Sequence, residues 1–308
     1  MIHVLYENED WLPALTDALE ARGLPVQLHF LDGGTLDLAT VPPDGVYINR
    51  MSPSSHTRGH QGGVTYATAL LHHLEAHGRT VINGSRAFAL EVSKVRQDMA
   101  LRAQGIRTPH TIAVVGEARL KDAARTMPLP FITKHDQGGK GLGVRLFDDL
   151  DAFDAYVDGP EFQADPRGIT LLQQYIAPRG GFITRVELVD GELLYAIRSS
   201  TEGGFELCPA DACQTDEAFC PVGGTGTFSR REDITTDDPL VRQYLALMAA
   251  EGLAVAGIEF VEDDEGNRYT YDINGTTNYN GEVEAAHGLH GMGAIADLCA
   301  RLTRARAA

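Results

Sequence analysis

The amino-acid sequence predicts an N-terminal α/β unit on a small parallel sheet, followed by α+β units built from antiparallel strands. Three observations carry this. Up to about residue 88, short apolar strands alternate with helical stretches, the rhythm of βαβ units. From Thr108 the pattern changes, and strands flank a short helix and a glycine-rich turn. Further on, Asp190-Gly191 joins two strand-like runs, which is a strong hairpin signal.

In chain order, IHVLY reads as a strand. DWLPALTDALEARG is a helix: Trp11, Leu12, Leu15, Ala18 and Leu19 fall on one stripe, and Gly23 stops it. PVQLHFL and GVYINR are strands, VTYATALLHHLEAHG is a helix ending at a glycine, and TVIN is a short strand. Ser85 opens one helical stretch running through FALEVSKVRQDMALRAQG. HTIAVV and PFITK flank the helix EARLKDAARTM, and GVRLF follows the glycine-rich turn. DLDAFDAYVD is helical and TLLQQYI is a strand. FITRVELV and ELLYAIRS form the Asp190-Gly191 hairpin. Residues 200–237 show no period and read as a long loop insertion. PLVRQYLALMAAEGL is a helix, VAGIEFV and RYTYDIN form a second hairpin across EDDEGN, and a final helix covers roughly Glu284 to Arg304.

With 308 residues, 43% of them apolar, the chain has room for two or three packed units. Its net charge of −17, from 26 basic and 43 acidic residues, argues against nucleic acid as the main partner. A small nucleotide stays open, since it needs only a local basic pocket. No apolar run is long enough to span a bilayer. The start, MIHVLYENED, lacks the basic-then-apolar layout of a signal peptide. Four Cys without a secretion signal point to reduced thiols and a cytoplasmic location.

The stretch NRYTYDINGTT carries the first chemical signal. At a period of two, Arg268, Thr270, Asp272 and Asn274 share one face, and Tyr269, Tyr271 and Ile273 the other. A turn centred on Glu265-Gly266 sets Glu259 opposite Asp272, where Cβ atoms stand about 5 Å apart. Carboxylates that close repel unless a positive group lies between them. With Asn274 they make an all-oxygen set suited to Mg²⁺ or Mn²⁺ beside substrate phosphates. A solvated polar face is the plainer reading of the hairpin alone. In KHDQGGKGLGVRLF, Lys134 ends a strand, and Gly138, Gly139, Gly141 and Gly143 leave backbone N–H groups able to lie against phosphates. The spacing is not that of a P-loop, and a strand rather than a helix follows, so it is no dinucleotide fingerprint. A nucleotide flap and an ordinary hairpin turn both remain. In LLQQYI, Gln174, Tyr175 and Ile176 could edge a flat purine, or simply end a buried strand. Arg50 and Arg58, in a loop after a strand of the α/β unit, could grip a substrate carboxylate, or belong to a plain polar loop. Arg198 is a similar candidate, facing the same cleft if its hairpin pairs as drawn. His72, His73 and His77 read as one polar helix face. Cys208, Cys213 and Cys220 lack the Cys-x₂-Cys spacing of common zinc sites.

Taken in order, these pieces resemble the ATP-grasp superfamily, and within it the RimK-like glutamate ligases and their glutathione-synthetase relatives. The resemblance runs from GVYINR and TVINGSRAFALEVSKVRQDMALRAQGIRTPHT, through PFITKHDQGGKGLGV and LLQQYI, to AGIEFV and YDINGTTN, with a step of 13 from Glu259 to Asp272. It implies an ATP-grasp fold: an N-terminal α/β domain over 1–88, a central subdomain with a lid over 89–172, and a C-terminal subdomain with a metal site over 173–308. It implies ATP and Mg²⁺ (or Mn²⁺) as cofactors. Lys94 and Lys134 then contact phosphates, and Gly138, Gly139, Lys140, Gly141 and Gly143 form the lid. Gln174, Tyr175 and Ile176 form the adenine hinge. Arg185 and Lys134 then serve catalysis, with Arg198 added to them from its expected place on the cleft rather than from the resemblance, and Glu259, Asp272 and Asn274 ligate the metal. The implied activity is ATP-dependent carboxylate–amine ligation through an acyl phosphate, on an amino acid or small peptide. A small-molecule kinase and a non-catalytic nucleotide-binding module are the alternatives. Relatives are often dimers or tetramers, but the sequence does not set an oligomeric state.

Three departures from the RimK-like pattern stand out. Its Asp followed by Glu-x-Asn becomes Glu259 followed by Asp272-Ile273-Asn274. Its Asp-x-Arg becomes Ile183-Thr184-Arg185. Its acceptor loop is replaced by FELCPADACQTDEAFCPVGGTG, which leaves the acceptor, and the donor with it, unassigned.

Overall fold

The computed structural model describes residues 1–138, 143–201 and 228–307. Strands β1 (Ile2–Tyr6), β2 (Val26–Phe30), β3 (Val46–Arg50) and β4 (Thr80–Ile82) form a parallel sheet of order β2-β1-β3-β4. Helices cover both of its faces, so its central strands are buried without alternation, and every residue of β3 is buried. Helix α1 (Pro13–Glu20) brings Leu15 and Leu19 against Ile2, Val4, Val46 and Ile48. Helix α2 (Gly63–Ala76) brings Leu71 and Leu74 to the other face, against Leu5 and Tyr47. His73 is buried on that helix while His72 is exposed, so the three histidines do not make one polar face.

The single helix expected from Ser85 is two. Helix α3 (Ser85–Glu91) ends at Val92, and Ser93 takes an extended conformation and caps α4 (Lys94–Ala103), its Oγ accepting from the Arg96 amide. The same hydroxyl donates to the buried Asp136 carboxylate, at 2.9 Å. A serine that bonds locally competes with helix continuation and is stable as a cap. The break makes Lys94 the first residue of a new helix.

A second sheet of order β5-β8-β6-β7 follows, from β5 (Thr111–Val115), β6 (Phe131–His135), β7 (Arg145–Phe147) and β8 (Ile169–Gln174), all pairs antiparallel. Helices α5 (Leu120–Ala124) and α6 (Leu150–Asp158) cover it over a core of Phe131, Phe147 and Phe153.

The third sheet has the order β11-β10-β9-β12-β13. Strands β9 (Phe182–Val189) and β10 (Glu192–Ser200) turn at Asp190 and Gly191, both at positive φ, the backbone that a tight two-residue hairpin requires. Strand β11 (Phe228–Arg230) lies inside the stretch expected to be only loop; it gains its strand state by pairing with β10, which no local period signals. Helix α7 (Pro239–Glu251) packs Tyr244, Leu247 and Met248 on Ile258 and Phe260 of β12 (Val255–Glu262), which pairs with β13 (Arg268–Asn274). The last helical stretch also divides, at left-handed Gly288, into α8 (Gly281–His287) and α9 (Gly291–Ala307). Helix α9 returns to the first sheet: Ile295, Leu298 and Cys299 share a core with Ile2, Leu15, Val189 and Ile197. The first and third sheets therefore share one hydrophobic core.

Glu259 faces Asp272 as the sequence predicts, but by a different route. Near the turn the register runs Glu262 to Arg268, Val261 to Tyr269 and Phe260 to Thr270. That is centred on Glu265, and it would set Tyr271 against Glu259. A bulge at Tyr271 shifts the pairing by one. The shift also breaks the face expected from period two: Thr270 is fully buried with its hydroxyl 2.6 Å from that of Tyr244 on α7, whereas Asp272 meets Lys94.

Asn83, at φ 52, ties β4 to the third sheet. Its Nδ2 donates to the carbonyls of Val255 and Gly275, and its Oδ1 accepts from the amides of Ala254 and Val255. Asn tolerates this left-handed backbone better than most residues. Asn83→Ala leaves four buried backbone groups without their partner and is expected to cost about 3 kcal/mol of stability, read from urea unfolding. A loss well below 1 kcal/mol would show that this tie is not a structural support.

Candidate active site

Six residues from five elements converge where the second and third sheets meet. Lys94 enters from the start of α4, and Lys134 lies in β6, buried. Arg185 on β9 pairs directly with Glu259 on β12, which in turn faces Asp272 on β13. Asn274, two residues beyond Asp272, donates its side-chain N–H to the Gly257 carbonyl at 3.4 Å. Residue 257 has to be glycine, because a Cβ there would overlap the Arg185 guanidinium. The missing side chain lets Arg185 lie across β12 and place Nη1 2.9 Å from Glu259 Oε1.

The two opposed carboxylates are compensated one by one. Lys94 Nζ stands 2.5 Å from Asp272 Oδ1. A lysine at a helix start opposes the helix dipole, so the Asp272 carboxylate offsets an otherwise unfavourable placement. Burial works against the charge of Asp272, yet Lys94, Lys134 and Arg185 hold its carboxyl below the usual range. Burial pushes Glu259 the other way, and Asp272's charge adds to this, against the pull of Arg185. Burial, with Lys94 as a neighbouring cation, lowers Lys134 to about 7. Its Nζ donates to the Tyr271 carbonyl at 3.3 Å and lies 5.8 Å from the centre of that residue's ring. Beside this cluster, Lys94, Asp98, Lys134, Gln173 and Tyr271 line a small crevice.

The donor set fits a hard divalent cation shared with phosphates. Among the described residues no group of three or more His, Cys, Asp or Glu could hold a metal. Two carboxylates and one carboxamide leave coordination positions that phosphate oxygens can fill.

The loop after Asn274 is clamped from three sides. The Glu91 carboxylate accepts from the amides of Gly275 and Thr276. Arg50 Nη1 donates to the Thr277 carbonyl at 2.7 Å and Nη2 to Asn278 Oδ1 at 2.5 Å. Arg185 Nη2 donates to the Thr277 hydroxyl at 2.7 Å. Gln97 adds a bond to the Ile273 carbonyl, so α4 holds the strand end as well.

Of the residues singled out from sequence, Lys94, Lys134, Arg185, Glu259, Asp272 and Asn274 stand together. Arg50 reaches the same region with both Nη atoms engaged in the clamp, and burial lowers it to about 10. Arg58 lies elsewhere, against the buried Glu7 carboxylate at 2.9 and 2.5 Å, with Trp11 under its guanidinium. Arg198 does not face the cleft: it pairs with Thr184, while Ile197 pairs with Arg185, so Arg198 is on the opposite side of the sheet, exposed and stacked on Phe182. The amides of Gln174 and Tyr175 already donate to the His110 and Pro130 carbonyls. Ile176 follows, half-buried. Gly138 and Gly143 bracket the glycine-rich turn; Gly139, Lys140, Gly141 and the three cysteines at 208, 213 and 220 lie outside the described residues. Sequence reasoning missed Glu91, Glu187, Tyr271 and Thr277. Only Glu187 left a signal, two positions from Arg185 and so on the same strand face.

No protein-family model matches the chain. It is 27% identical over 235 residues to a probable alpha-L-glutamate ligase of Xanthomonas euvesicatoria pv. vesicatoria (strain 85-10), covering 75% of this chain and 72% of that one. It is 25% identical over 217 residues to a D-alanine–D-alanine ligase of Chromohalobacter salexigens, covering 64% of this chain and 65% of that one. Its fold matches that of the ATP-grasp ligase PsnB complexed with minimal precursor, Mg and ADP, with a TM-score of 0.66 at 17% identity over 98% of this chain and 97% of that one. At that identity the likeness shows the fold.

The Glu91 clamp makes stability depend on pH. Burial outweighs the two amide bonds and raises Glu91 from 4.5 to about 7. Between those values the folded chain keeps a proton that the unfolded chain releases, so this group's contribution to stability falls as pH rises. Unfolding measured from pH 5 to pH 8 is expected to show a flatter decline for Glu91→Gln than for the parent. Parallel declines would contradict the buried carboxyl.

Proposed function

Because this chain is an ATP-grasp protein by its fold and its relatives, we propose that it is an ATP-dependent ligase joining a carboxylate to an amine. The observation that carries the reading is the convergence of Lys94, Lys134 and Arg185 on the opposed Glu259–Asp272 pair. Three cations from separate elements around two half-buried acids match a triphosphate with a divalent ion, since each partner then neutralises the other.

In this reading Lys94 and Lys134 bind phosphates. Lys94 exchanges Asp272 for a phosphate oxygen, and the approaching anion restores the proton on Lys134. Glu259, Asp272 and Asn274 would hold Mg²⁺ or Mn²⁺, which supplies charge neutralisation on the β- and γ-phosphates. Arg185 stabilises the charge spreading over the transferred phosphoryl group. An oxygen of the substrate carboxylate forms the new O–P bond as ADP leaves. The amine nitrogen then forms the C–N bond, phosphate departs and the amine loses a proton. The carboxylate belongs to an amino acid or small peptide. The parts at 1–88, 89–172 and 173–308 act as the α/β domain, the lid-bearing subdomain and the metal-bearing subdomain. No helix among the described residues is long and apolar enough to cross a membrane, and a cytoplasmic location belongs to the same proposal.

The test is ADP release over a panel of amino acids and peptides paired with amines, with the product weighed by mass spectrometry. An amide is expected; a phosphoester would indicate a kinase instead. Asp272→Asn is expected to lower turnover about a thousandfold and, because it takes the anionic partner from Lys94, to lower the melting temperature while the chain still folds. ADP release at the parental rate in that variant would refute the metal assignment.

A further inference from the structure

We propose that Glu187 is a positioning residue: it holds the Arg185 guanidinium so that Glu259 can leave Arg185 for a divalent cation without abandoning a buried positive charge. This rests on the ligase reading of the site.

Arg185 and Glu187 are two residues apart on β9 and project from the same face of the strand. Glu187 is 1% exposed, so its carboxylate exists there only with partners. Its Oε1 accepts from Arg185 Nε at 2.6 Å, and its Oε2 accepts from the Thr277 hydroxyl at 2.9 Å. That hydroxyl oxygen accepts from Arg185 Nη2 at 2.7 Å. Arg185, Glu187 and Thr277 thus close a ring that fixes two of the three guanidinium nitrogens. The third, Nη1, is the one that meets Glu259.

The consequence concerns exchange of partners. Burial disfavours the charge on Arg185, and Glu187 and Glu259 together keep it protonated. Were Glu259 its sole anion, drawing Glu259 to a cation would strand a buried guanidinium, and the cation would compete against that cost. With Glu187 in place, Arg185 keeps a full anionic partner. Glu259 is then free to ligate, and Nη1 is free to meet a phosphoryl oxygen. The ring also runs through Thr277, three residues beyond Asn274, so it ties Arg185 to the loop that carries the carboxamide ligand.

The experiment is calorimetric titration of ADP with and without Mn²⁺, on the full chain, for the parent, Glu187→Gln, Glu187→Asp and Thr277→Val. In Glu187→Gln, ADP affinity without Mn²⁺ is expected to stay within about twofold of the parent, while the gain that Mn²⁺ confers on ADP binding falls about tenfold. Glu187→Asp is expected to recover part of that gain, because it restores the charge. Thr277→Val keeps the carboxylate but opens the ring, and its gain is expected to fall between the two. In turnover, kcat is expected to drop while KM for ATP stays close to the parent's. A purely structural Glu187 would instead lower the melting temperature and leave the Mn²⁺ gain intact, which overturns the proposal. Should Glu187→Gln fail to fold, a full Mn²⁺ gain in both Glu187→Asp and Thr277→Val overturns it as well. A parent that binds ADP with no gain from Mn²⁺ overturns the metal-site reading itself, and is told apart by arising before any substitution.

Discussion

The opposition of two half-buried carboxylates, Glu259 and Asp272, is the constraint on which the rest of the site depends. Neighbouring strands of one hairpin force them together. Like charges that close in a poorly solvated place demand compensation, and the molecule supplies it from outside the hairpin. Lys94 comes from a helix whose start is created by a serine cap, and Arg185 comes from the neighbouring strand. Each compensating group has its own requirement. Lys94 needs the break at Ser93, and Arg185 needs a glycine at 257 to lie across and a second acid, Glu187, to share.

This arrangement explains why the site joins all three sheets. The acids and Arg185 belong to the third sheet and Lys134 to the second. Lys94 follows α3, whose Glu91 clamps the loop beyond Asn274. Arg50, from the last residue of β3, grips the same loop. A ligand that draws the lysines toward phosphates would therefore act on groups anchored in separate layers. The shared core of α9, β9 and the first sheet gives two of those layers a fixed relation. The relatives that the chain resembles are named for different substrates, glutamate and D-alanine.

Legibility in the sequence followed the range of each signal. Strands such as IHVLY and VYINR, and the amphipathic α1, were readable because period and end signals lie within a few residues. The facing of Glu259 and Asp272 was readable because both lie in one hairpin. The bulge at Tyr271 was not, and it moved Thr270 to the other face even as it preserved the pair. The helix from Ser85 read as continuous because its apolar spacing runs through, while the carboxylate that makes Ser93 a cap is Asp136, far along the chain. Arg198 illustrates the same limit: its side of the sheet follows from a register irregularity between Leu193 and Tyr195.

What the sequence by itself determined is which residue types are present, the order of strands and helices, and the hairpin that brings two acids into opposition. These depend on contacts a few residues apart. The tertiary structure alone decided which charges compensate which: Lys94 for Asp272, Glu187 and Glu259 for Arg185, Glu7 for Arg58, and the Thr277 and Asn278 acceptors for Arg50. The reason is that burial creates the need for a partner, and burial is a property of the assembled layers rather than of any segment.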